Sequence, residues 1–160
     1  MHTPLVYIAL GSNIEPRAAR LAQARSLLEA IAEGDWAESE IRETTPVGPQ
    51  DQGLFLNQVV CFRSKRSPLA LLDFCKGAEL ILGRKPRGHW QARELDLDLL
   101  YAGNEIISSE HGLRLPHPRI AERGFVLEPL CDLAPDHVHP VTQKTNRSML
   151  AELLTQGKAA

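Results

Sequence analysis

Between Leu95 and Leu100 the chain reads Leu-Asp-Leu-Asp-Leu-Leu, and that alternation constrains the fold more than any other stretch. A period of two puts Leu95, Leu97 and Leu99 on one side of an extended strand and Asp96 and Asp98 on the other. One face must therefore rest on a core while the other carries two carboxylates, with Cα atoms about 6.5–7 Å apart. Upstream runs Gly83-Arg84-Lys85-Pro86-Arg87-Gly88-His89-Trp90-Gln91-Ala92-Arg93, a basic segment interrupted by glycine and proline. Taken alone, the two aspartates would read as solvated side chains of an exposed strand. Arg84, Trp90, Arg93, Asp96 and Asp98 within fifteen positions read instead as a site for a metal and a phosphate chain. Hard cations such as Mg²⁺ are held by one or two carboxylates plus substrate phosphates, and phosphate oxygens call for Arg and Lys donors.

The other periodicities supply what this strand packs on. Leu5 to Leu10 is a continuous apolar run, the mark of a central strand buried on both faces, and Gly11-Ser12-Asn13 ends it. A helix should start near Pro16, show Leu21, Ala24, Leu28 and Ile31 on one side, and stop at Gly34. Residues 36–45 read as one more exposed strand, 45–53 as a Pro- and Gly-rich loop, and 54–63 as a further strand. Ser67-Pro68 opens a second helix, with Leu71, Phe74, Ala78 and Ile81 as its stripe and Gly83 as its end. Short strands are expected at Ile106-Ile107 and Leu113 to Leu115. Phe125 to Leu133 reads as a helix broken by Pro129, and Asn146 as the cap of a last helix through Leu154. The order β-α-β-β-α-β predicts an α+β fold, a ferredoxin-like sandwich. Its antiparallel sheet would carry helices on one face and leave the other free for a ligand site.

With 160 residues, a single domain over 1–160 is expected. A net charge of −2 argues against a general nucleic-acid or membrane-surface binder, because the basic residues are concentrated locally, which suits a small anion. Cys61, Cys75 and Cys131 are isolated, odd in number and without metal-ligand spacing, so they read as buried hydrophobes of a reducing cytoplasm. No leader segment and no membrane span is expected, since a strand begins after four residues and no apolar run is long enough.

No phosphate-binding P-loop, dinucleotide fingerprint or nucleophile elbow is present, and no Ser or Cys has an evident paired base. His137 and His139 have the spacing of metal ligands but no evident third ligand, and read as structural. Phe55 and Asn57 share a strand face; taken alone Phe55 reads as core packing, but beside the Pro- and Gly-rich loop it can stack on a flat ring while Asn57 reads the ring's edge. Arg114, His117, Arg119 and Arg123, close to Phe125, suit a polyphosphate; Arg119 reads as solvated surface.

Together these residues resemble the 6-hydroxymethyl-7,8-dihydropterin pyrophosphokinase family of folate biosynthesis. The matching pieces are YIALGSN at 7–13, TPVGPQDQGLFLN at 45–57, Gly83-Arg84, Trp90, RELDLDLLYAGN at 93–104 and LPHPRIAERGFVLEPL at 115–130. The resemblance implies a monomeric, ferredoxin-like enzyme that transfers intact pyrophosphate from ATP to the pterin hydroxymethyl and releases AMP. It implies two Mg²⁺ ions on Asp96 and Asp98, with Arg84 and Arg93 beside them as catalytic groups. It also implies a pterin pocket of Thr44, Val47, Phe55, Asn57, Trp90, Asp96 and Phe125, the ring lying between the two phenylalanines. Glu79, Arg84, Arg87, Trp90, Arg93, Leu99, Arg114, His117 and Arg123 would then serve ATP. Gln91-Ala92 replaces the family's Gly-Pro, and the basic loop is about one residue short. The second loop arginine is therefore either Arg87 or displaced by Pro86. That departure leaves room for a slow paralogue, or for a non-catalytic pterin- or nucleotide-binding domain. A phosphohydrolase would need a base for water, and none presents itself.

Overall fold

The apolar run near the N-terminus becomes the centre of the sheet because both its faces are covered. The computed structural model describes residues 3–46, 52–87 and 91–157. Strand β1 (Leu5–Ser12) pairs antiparallel with β4 (Phe55–Arg63) on one side and with β5 (Asp96–Ala102) on the other. Two short strands, β2 (Ala37–Glu38) and β3 (Arg42–Thr44), pair with the far edge of β4. The resulting order β2-β4-β1-β5 is the expected ferredoxin-like arrangement.

Val6, Ile8 and Leu10 point toward helices α1 (Arg17–Ile31) and α2 (Pro68–Ile81). There they join Leu21, Ala24 and Leu28 of α1, Leu71, Cys75 and Ala78 of α2, and Leu97 and Leu99 of β5. Tyr7 points the other way, into a second cluster with Val59, Cys61, Tyr101 and Leu130. Ser67 caps α2 as expected, its side chain accepting the Ala70 N–H. Gly83, at φ +99°, takes the left-handed conformation that ends this segment.

Four expectations are corrected. First, residues 36–45 form two strands rather than one. Ser39 lies between them, its backbone N–H donating to Val59 O while its hydroxyl accepts the Val59 N–H. Second, Pro129 does not break α3 (Gly124–Leu133). It removes one donor, but Val126, Leu127 and Leu130 are buried on the sheet, and that packing holds the helix together. Third, the cap of α4 (Asn146–Thr155) is Thr145, whose hydroxyl accepts the Ser148 N–H. Asn146 instead accepts from the Tyr101 hydroxyl at 2.8 Å and donates to Ala134 O at 2.8 Å. Fourth, the face opposite α1 and α2 is not free along its whole length, because α3 and α4 cover part of it through Val126, Leu127, Met149 and Leu153.

A bulge lets β5 serve both clusters. The register with β1 shifts between Tyr7 and Ile8, which leaves Leu100 as an extra residue. Leu100 and Tyr101 therefore both face the α3–α4 layer, whereas Leu97 and Leu99 face α2. Two short strands, β6 (Ile107–Ser108) and β7 (Arg114–Leu115), form a separate ribbon. His137 and His139 pack on Tyr101, with ring centroids 4.4 and 5.8 Å away, in the structural role expected of them.

Candidate active site

Register across three strands assembles the site on the part of the sheet that α3 and α4 leave uncovered. Gly11 of β1 lies opposite Asn57 on one side and Asp96 on the other; Ala9, two positions back, lies opposite Val59 and Asp98. Thr44 of β3 is paired with Phe55, and its hydroxyl accepts a hydrogen bond from the Asn57 side-chain amide. A cavity opens over this row. Phe55, Asn57 and Thr44 line one flank, Asp96 and Asp98 the floor, and Arg93, His117, Arg123 and Phe125 the other flank.

Gly11 is what allows the row to close up. A Cβ there would lie 3.2 Å from Asn57 Oδ1 and 3.6 Å from a ring carbon of Phe55. Asn13, just beyond the end of β1, ties two loops to this floor. Its amide donates to Gln52 Oε1 at 2.8 Å and to Gly53 O at 3.0 Å, while its Oδ1 accepts the Arg93 N–H at 2.7 Å.

The two aspartates have different surroundings. Asp96 Oδ1 accepts from Arg84 Nη1 and from Arg93 Nη1, each at 3.1 Å. The Arg84 nitrogen also lies 2.9 Å from Glu79 Oε1, and Glu79 Oε2 accepts the Leu97 N–H at 2.8 Å. Burial raises the Glu79 pKa, against the pull of that N–H and of Lys76 and Arg84. Asp98 has no such donor among the described residues. Burial first, and the charge of Asp96 second, push its carboxyl up to about 7. A carboxylate short of donors at the bottom of a cavity, beside another, is chemically suited to a hard cation. Among the described residues no third His, Cys, Asp or Glu joins them, so further ligands would come from phosphate oxygens and water.

The cationic flank is equally differentiated. Burial, with Arg123 adding to it, holds His117 down at about 4, so its imidazole is neutral near pH 7. His117 Nδ1 accepts the Arg119 N–H at 3.1 Å. The ring hydrogen must then sit on Nε2, leaving a neutral donor at the cavity wall. The Arg123 guanidinium lies 5.5 Å from the Phe125 ring centroid, a cation–π contact. Arg87 is paired with Glu94 at 2.6 Å, and this bond holds Glu94 down at about 2.

Thus Thr44, Phe55, Asn57, Arg93, Asp96, Asp98, His117, Arg123 and Phe125 share one cavity. Glu79 and Arg84 stand behind it, joined to Asp96. Leu99 does not present its side chain there, because the period-two strand turns it into the α2 core. Arg114 lies exposed on β7, outside the cavity wall, as does the exposed Arg119. Val47 and Trp90 fall outside the described residues. The cavity lining also includes Gly11, Thr45 and Gln91, and Asn13 ties its loops, none of them among the site residues expected from the sequence. By local pattern Gly11 and Asn13 read as a turn cluster, and their partners across the sheet and in the facing loop are about forty positions away or more.

A family model described as 7,8-dihydro-6-hydroxymethylpterin-pyrophosphokinase (HPPK) matches residues 7–135. The 2-amino-4-hydroxy-6-hydroxymethyldihydropteridine pyrophosphokinase of Bacillus subtilis is 43% identical over 130 residues, 81% of this chain and 77% of its own. The enzyme of the same name from Methylorubrum extorquens is 40% identical over 153 residues, 94% of each chain. In a crystal structure of HPPK-DHPS in complex with substrates, the superposition covers 98% of this chain with a TM-score of 0.77 at 14% identity. Wild-type Plasmodium falciparum HPPK-DHPS gives 0.73 at 15% identity. This chain spans 44% and 46% of those two longer chains, and at such identities the likeness concerns the fold.

Proposed function

The chain belongs to the 7,8-dihydro-6-hydroxymethylpterin-pyrophosphokinase family, and on that premise we propose that the cavity over Asp96 and Asp98 is where it works. The reaction is transfer of pyrophosphate from ATP to 6-hydroxymethyl-7,8-dihydropterin in folate biosynthesis, with AMP as the other product. One observation carries the placement. Asn57, with Phe55 the ring-reading pair, and Asp96, with Asp98 the carboxylate pair, lie on either side of Gly11 on adjacent strands, and all four open on one cavity.

In this reading Phe55 and Phe125 take the two faces of the pterin, and Asn57, held by Thr44, reads its edge. Val47 and Trp90 are proposed to complete the pocket. Asp96 and Asp98 would hold two Mg²⁺ ions, which supply charge neutralisation on the phosphates when bound. Arg84, Arg93 and Arg123 donate to phosphate oxygens, and His117 offers its Nε2–H without adding a charge. Arg87 would join them on leaving Glu94; Arg114 is proposed as an outer contact, Leu99 as one made through its backbone, and Glu79 as the support of Arg84. Phosphoryl-type transfer requires in-line positioning and stabilised charge more than covalent help, and this is what two acids and several arginines around a stacking slot provide.

In the same reading the enzyme works as a monomer, with one domain over residues 1–160. The ATP requirement and three unpaired cysteines support a cytoplasmic setting. No described helix is long and apolar enough to cross a membrane. The deciding experiment is product analysis. AMP release dependent on both Mg²⁺ and the hydroxymethyl-dihydropterin is expected, and ADP in its place would exclude pyrophosphoryl transfer.

A further inference from the structure

We propose that Arg84 and Arg93 close the acid pair to a free cation and release it when a polyphosphate arrives to take them. The inference rests on the metal reading of Asp96 and Asp98 given above.

The two guanidinium groups reach the same oxygen from different elements. Arg84 comes from the segment after α2 and Arg93 from the residues before β5, and each places Nη1 3.1 Å from Asp96 Oδ1. A carboxylate oxygen has two lone-pair sites, so two donors leave Oδ1 without one for a cation. An ion that uses Oδ1 must displace a charge-assisted hydrogen bond, and one that settles for Oδ2 and Asp98 still approaches two positive groups. A phosphate chain removes both obstacles, since its oxygens offer the planar fork of arginine an acceptor geometry like that of a carboxylate.

Glu79 makes the exchange reversible. It is nearly buried and keeps the Leu97 N–H at 2.8 Å and Lys76 Nζ at 3.6 Å whether or not Arg84 stays. It is therefore a fixed post to which Arg84 returns, 2.9 Å away, when the phosphates leave. Cation and polyphosphate then bind with positive coupling, because each vacates what the other needs, and the coupling is reciprocal. Arg123 supplies the contrast. It lines the same cavity and carries the same charge, but its guanidinium lies over Phe125 and donates to neither aspartate.

The test is binding of Mn²⁺ alone, read from the electron paramagnetic resonance of the free ion. Wild-type protein is compared with Arg84→Met, Arg93→Met and Arg123→Met. Loss of either plugging arginine should tighten Mn²⁺ by about tenfold, the effect of removing one charge-assisted bond. Arg123→Met, which removes charge without a contact, should tighten it by less than about threefold. A non-hydrolysable ATP analogue should bring wild type level with the two plug variants. If Arg84→Met and Arg93→Met tighten no more than Arg123→Met, the plug is bulk charge and the proposal fails. If Mn²⁺ binds no protein even with the analogue present, the metal reading itself falls, which is a separate result. Should a variant not fold, arginine side-chain resonances of the wild-type protein decide the matter. Those of Arg84 and Arg93 should move on adding Mg²⁺ with the analogue and stay in place with Mg²⁺ alone. Movement with Mg²⁺ alone overturns the proposal.

Discussion

Replacing Asp98 by Asn should stabilise the metal-free protein above neutral pH and abolish its turnover. The carboxyl is displaced from its ordinary 3.8 to about 7 by burial and by Asp96. At 1.36 kcal/mol per unit, a displacement of about three units sets a ceiling of roughly 4 kcal/mol on the cost of ionising it in the folded state. Solvent screening at the open cavity mouth reduces that to about 2 kcal/mol. For a chain of this size such a change is worth about 4–8 °C in Tm. Because the folded pKa lies above the unfolded one, wild type and variant should be equal below about pH 4, where both states carry the proton. The variant should gain progressively as pH rises toward 7, and the gain should level off above it. Thermal unfolding with a chelator present, from pH 4 to pH 8.5, measures this directly. An Asn variant no more stable than wild type at pH 8, or a gain that persists undiminished at pH 4, would refute the reasoning. Adding Mg²⁺ and an ATP analogue should reverse the order, since the wild type alone then gains by binding.

Other perturbations separate the parts of the site. Asp96→Ala and Asp98→Ala should each lower kcat by several orders of magnitude, about 10²–10⁴-fold, with AMP release as the readout, and near-wild-type rates would remove both from the metal assignment. Gly11→Ala places a methyl 3.2 Å from Asn57 Oδ1. The pterin KM should rise about tenfold while the affinity for the ATP analogue stays within about twofold, as fits overpacking of 1–2 kcal/mol confined to the ring-reading flank. Tyr101→Phe strands the buried Oδ1 of Asn146. It should cost about 1–3 kcal/mol in denaturant unfolding and leave KM for both substrates unchanged.

Much of this was readable in advance because the signals are short-ranged. The alternation of 95–100 placed two carboxylates opposite the core, and the even members of the run at 5–10 do pack on the helices that Pro16 and Ser67-Pro68 announced. Where short-range signals competed with packing, packing prevailed. Pro129 sits inside an intact helix because Val126, Leu127 and Leu130 anchor it, and Asn146 gave up the cap to satisfy Tyr101. The covering of one end of the ligand face by α3 and α4 follows from the apolar residues that Tyr7, Cys61 and Tyr101 present there, which no local pattern assigns to a partner.

By itself, then, the order of residues determined the sequence of elements, the two-sided burial of β1, the pairing of Asp96 with Asp98 on one face, and the family. These depend on periods and turns spanning a few positions. Tertiary structure alone decided that Gly11 stands between Asn57 and Asp96, that Leu100 joins Tyr101 in facing the α3–α4 layer at the bulge, and that two arginines meet on one oxygen. The first two are matters of register between segments distant in the chain, and the third depends on the path of the segment between α2 and β5. Such register is set by the summed packing of a whole sheet rather than by any residue's own preference.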